Sequence, residues 1–111
     1  MALSLEQFQE RLRVWSARAA HEVENSSGEI ASSWKGQYRV LGNVLRYAQG
    51  QGAQYSPGQV RQTLIEDSGR ARLRWEASRD RQEVAELAGE VAGYELVLTL
   101  LGDAGPTWNG A

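Results

Sequence analysis

The sequence predicts an all-α protein, built as an antiparallel helix pair followed by a long or once-broken C-terminal helix. Three observations carry this. Three segments open on capping signals, each repeats apolar residues at 3.6-residue spacing, and no proline falls inside any of them.

The first helix starts at Ser4-Leu5-Glu6-Gln7, which has capping-box form, and Leu5, Phe8, Leu12, Trp15, Ala19 and Val23 follow along one arc. The run "ENSSG", Glu24 to Gly28, is a stop, and Ser26 with Glu29 repeats the box spacing for a second start. So short a connection makes the second helix an antiparallel neighbour. Its stripe is Ile30, Trp34, Tyr38, Leu41, Leu45 and Ala48, and Gly50 stands at its expected end. "GQGAQYSPGQ", Gly50 to Gln59, reads as a loop that ends on a new start. There Ser56 caps, Pro57 takes the first helical position, Gln59 completes the box and Tyr55 staples onto Val60.

The competing fold is α+β, with central β-hairpins near 37–48 and 60–76. "YRVLGNVLRY" can be read as two strands around a Gly42-Asn43 turn, and "VRQTLI" with "RARLRW" as two strands across "EDSG". The complete helical stripes favour helix at both places. Residues 1–101 then form a single helical domain and 102–111 an irregular tail marked by Gly102, Gly105, Pro106 and Gly110. The expected core is Leu5, Phe8, Leu12, Trp15, Trp34, Leu41, Leu45, Leu87, Val91 and Leu98.

"GRARLRWEASRDR", Gly69 to Arg81, holds five arginines. On a helix, Arg72, Glu76, Arg79 and Glu83 form a ladder of opposite charges, and Arg70 follows Glu66 by four residues. Arg74 and Arg81 alone lack a local acid. The same long segment carries two apolar stripes. One is Leu73, Ala77, Val84, Leu87, Ala88, Val91, Tyr94 and Leu98; the other is Val60, Leu64, Ala71, Trp75, Gly89, Gly93, Leu96 and Leu100. A two-helix hairpin covers only one. Either the helix breaks near Ser68-Gly69 or Arg79-Asp80 and folds back, or a partner completes the bundle. That partner is a second copy in a homodimer or another helical protein, with Trp75, Gly89, Gly93, Leu96 and Leu100 at the interface.

The chain of 111 residues has no cysteine, which excludes disulfides and thiolate chemistry, and a formal net charge of −2. No apolar run approaches the ~20 residues of a membrane span. The charged, amphipathic start is unlike a signal peptide, so the expectation is a cytoplasmic protein without membrane contact. His21 is the single histidine, which leaves metal sites without a ligand set. Glu66-Asp67 could act as an acid and a base, but at a helix break two acids more simply satisfy the next N-terminus. "GQGAQ" lacks the Lys-Ser/Thr ending of a phosphate loop. No catalytic residue, cofactor, metal or small-molecule substrate is inferred, and the expected function is a non-enzymatic oligomerisation or protein-interaction module.

The alternative function is nucleic-acid binding. Between Ala31 and Ile65 stand Lys35, Arg39, Arg46 and Arg61, with no acid. Lys35, Arg39 and Arg46 share one helix face, and with Arg74 and Arg81 they are the candidate phosphate contacts. Trp34 and Tyr38 fall on the apolar stripe, which places them in the core and not on a stacking surface. Trp34-Lys35-Gly36 resembles the Trp-x-Gly turn of a family of small secreted helical hairpins. In that family the motif lies between two long helices; here Gly50–Pro57 cuts the segment that follows, so nothing is carried over.

Overall fold

A computed structural model describes residues 2–51, 56–105 and 108, and among these every regular element is helical. The chain order is α1 (Leu5–Asn25), α2 (Gly28–Gln51), α3 (Pro57–Ala77) and α4 (Arg81–Leu101). Both regions that could be read as hairpins are helix. Ser4 and Gln7 close their box with hydrogen bonds of 2.9 and 3.0 Å, and Ser56 and Gln59 close theirs with 2.8 and 3.3 Å. The Tyr55 staple lies outside the described residues. The expected Ser26–Glu29 box is replaced by a tighter turn. Ser26, in an extended conformation, ends α1, and α2 opens on Gly28 at φ 61°. That left-handed geometry costs glycine little and other residues more.

The long C-terminal segment is broken once, at residues 78–80. Ser78 donates its amide to the Arg74 carbonyl and ends α3, while the Asp80 carboxylate accepts from the amides of Gln82 and Glu83 and opens α4. A stop and a start two residues apart reverse the chain, and α4 folds back along α3. α4 also packs on α2, and α2 on α1, so the helices are ordered α1–α2–α4–α3 in space.

The break resolves the two-stripe problem. Helical phase resets at residues 78–80, so a stripe drawn through the break joins faces that point in different directions. In α3 the second stripe turns inward: Val60, Leu64 and Ala71 are buried, whereas Leu73 of the first is 67% exposed. In α4 both stripes are used. Leu87 and Val91 are buried on one side, and Gly89 and Gly93 meet α2 on the other. Of the two expected ways to cover the stripes, the fold-back at residues 78–80 is present within the chain.

The α2–α4 contact is backbone on backbone. A Cβ built on Gly36 would lie 1.9 Å from the Glu86 carbonyl oxygen, and one on Gly89 would lie 1.8 Å from that of Ser33. Gly93 faces Val40. Residues 33 and 40 therefore match 89 and 93, so α2 and α4 run in the same direction.

Of the expected core, Phe8, Leu12, Leu41, Leu87 and Val91 are buried, and Leu5, Trp15, Trp34, Leu45 and Leu98 pack partly buried against it. The α2 stripe needs correction: Ile30 is 65% exposed and Tyr38 46%, while Val40 and Val44 are buried. A helix with neighbours on two sides buries a wider arc than its apolar stripe marks. The described part of 102–111 is irregular, yet Ala104 and Trp108 belong to the core. The Trp108 ring lies 5.1 Å from that of Phe8, and the Leu3 amide donates to the Asp103 carbonyl at 2.9 Å.

Glycine substitutions test this packing because they should have opposite signs. Gly89→Ala forces a methyl group into backbone and is expected to cost ~1–3 kcal/mol in denaturant unfolding. Gly69→Ala, where a Cβ meets nothing within 4 Å, is expected to stabilise by ~0.5–1 kcal/mol. Equal effects at the two sites would mean that the close α2–α4 approach is wrong.

Candidate nucleic-acid interface

Positions 35, 39, 42, 43 and 46 follow one another round the same face of α2, so a helix in this register projects Lys35, Arg39, Asn43 and Arg46 together. The structure makes that face one wall of an open groove, with Ala20, Val23 and Glu24 of α1 as the other. Tyr38 lines the same groove, and its exposure brings an aromatic ring among the three cations.

The two arginines are held differently. Arg39 Nη1 donates to Glu90 Oε2 at 3.2 Å; the arginine side chain is 51% exposed and the carboxylate side chain 11%. Glu90 is a buried acid on α4, and a buried carboxylate is stable only with a partner. Spacing alone could not show this pair, because it joins residues 51 apart. The partner of Arg39 thus comes from α4 and not from α1. Arg46 donates within α2 to Asn43.

A second recess lies beside the first, where α1 ends and α2 and α4 begin. It is lined by residues including Ser27, Ser32, Lys35 and Arg81, so Lys35 borders both recesses. Arg81, which has no acid three or four residues away in sequence, pairs through Nε with Glu29 at 2.9 Å. Arg74 sits in the last turn of α3 and lines neither recess. The charge ladder is also redrawn by the break: Arg72 bonds Glu95 of α4 at 3.0 Å, and Arg70 pairs with Asp67. Glu66 and Asp67 lie inside α3, not at a break.

The residues expected at an interface are scattered by the fold. Gly89 and Gly93 are closed against α2 and Leu100 is in the core, while Trp75 and Leu96 are half-buried. His21 is exposed and lies beside Asn25, whose side chain donates to the His21 carbonyl at 2.8 Å. Among the described residues no three histidine, aspartate or glutamate side chains group as metal ligands, and no helix is long and apolar enough to cross a membrane.

Replacing Arg39 by alanine leaves Glu90 buried without its cation and is expected to cost ~1–3 kcal/mol of stability. Adding Glu90→Gln should recover most of that loss in a double-mutant cycle. Simple additivity would show that the two groups do not support each other. No protein-family model matches the chain, and neither does any curated protein or solved structure.

Proposed function

We propose that this protein is a small non-enzymatic interaction module whose working face is the α1–α2 groove, and that the groove takes the phosphate backbone of single-stranded nucleic acid. The observation that carries the reading is the joint presence of Lys35, Arg39, Arg46 and a solvent-facing Tyr38 along one groove. Cations neutralise phosphates and release their counterions, and a base stacks on an exposed ring whatever its sequence. The acid-free run from Ala31 to Ile65 supports it, because the groove wall on α2 contributes no carboxylate. The net charge of −2 opposes long-range attraction, so the affinity rests on local contact and is weak at physiological salt.

Fluorescence anisotropy with a labelled random single strand tests this directly. Binding in the micromolar range is expected at low salt, with a slope near −2 in log K against log salt if three phosphates are neutralised, from ~0.7 per phosphate. Lys35→Glu and Arg46→Glu should each weaken it. Tyr38→Ala should cost roughly five-fold or more, as loss of one stacked base does. Absence of binding at tens of micromolar protein removes the reading.

A protein partner, including a second copy of this chain, is the second reading. It is favoured by Leu73 and Ile65, both exposed on the outer helix α3. Light scattering decides about self-association: a dimer dissociated by Leu73→Glu supports it, and a 12.3 kDa particle at tens of micromolar does not.

A further inference from the structure

α3 packs on α4, and α2 packs on α4 from another side, but α2 and α3 hardly touch. Between them the junction leaves a cavity of about 220 Å³. Its floor is made of the buried side chains Val40, Val44, Val60 and Leu64. The rest of its lining is Asn43, Tyr47, Thr63, Asp67 and Tyr94, so hydrogen-bonding groups surround an apolar bottom. That is the general make-up of a small-molecule site.

We infer that this junction is a binding site for a small, neutral ring compound bearing one hydrogen-bonding substituent. Size sets the first limit. The cavity falls below the ~300–1,000 Å³ usual for drug-sized ligands, yet exceeds the ~150 Å³ apolar cavity that takes up benzene. A single substituted ring or a small fused ring fits that interval.

Charge sets the second limit. Asp67 is already engaged by Arg70, one turn further along α3. That guanidinium already partners the carboxylate and weakens its pull on a cationic ligand, and no lysine or arginine lines the cavity to hold an anion. Burial, reinforced by the negative charges of Asp67 and Glu90, pushes the Tyr94 phenol above its usual 10.0. Tyr94 therefore stays a neutral hydroxyl at ordinary pH. The lining then presents the Tyr94 phenol, the Thr63 hydroxyl, the Asn43 amide and the ion-paired Asp67 carboxylate, which suit a hydroxyl or ring N–H. Asn43 borders both this cavity and the basic groove, but none of the groove's cations lines the cavity.

The test is methyl NMR on the whole protein, titrated with para-cresol and with indole, and with benzoate as the anionic control. Saturable shifts are expected at the methyls of Val40, Val44, Val60 and Leu64 with half-saturation at or below about 1 mM, a weak-fragment affinity. Benzoate should be at least about tenfold weaker, one decade being ~1.4 kcal/mol. Val44→Phe fills the floor and should abolish the shifts in a protein that keeps its helical spectrum. If that variant does not fold, Thr63→Trp closes the cavity from the exposed rim and should do the same. Shifts that never saturate, that spread away from these methyls, or that survive the closing variant would overturn the site.

Discussion

The close approach of α2 and α4 governs where the other helices can sit. Where Gly36 meets Glu86 and Gly89 meets Ser33, there is no room for even one methyl group. Backbones this close exclude water between them and bring Cα–H groups against carbonyl oxygens, contacts that recur at helix–helix interfaces. A helical glycine costs ~1 kcal/mol relative to alanine. Here the packing that Gly36, Gly89 and Gly93 permit offsets that cost. At Gly69, which faces open space, nothing does.

Two further features follow from this contact. With α4 seated against both α2 and α3, these two make little direct contact, and a cavity remains at their side of the junction. The same seating carries Glu90 of α4 to Arg39 of α2, where a nearly buried carboxylate and a half-exposed guanidinium meet. Arg39 thus joins packing to the groove. It neutralises a core acid with one nitrogen and still presents a guanidinium face to solvent beside Tyr38 and Lys35.

The groove was partly legible in the sequence. The common face of Lys35, Arg39 and Arg46 follows from helical spacing, and so does the absence of acids around them. Tyr38 was misplaced because its spacing fits the apolar stripe, yet α1 and α4 between them cover an arc that leaves it out. Arg81 found Glu29, and Arg72 found Glu95, through contacts between helices distant in sequence. Trp108, after a glycine and a proline, had no periodic pattern to announce it, and it reaches the core because the chain end returns to Phe8.

The information carried along the chain is local. Capping boxes at Ser4 and Ser56 and the 3.6-residue stripes set where helices begin and which fold class results, because a cap acts within one turn. Of the two possible breaks, Ser68-Gly69 and Arg79-Asp80, only the structure selects the second. Which faces meet was decided only by tertiary structure. The break at residues 78–80 resets helical phase, so Leu73 and Leu87 part company although they fit one stripe. Glycine contributes to packing through the side chain it lacks, and hydrophobic patterning cannot register that contribution.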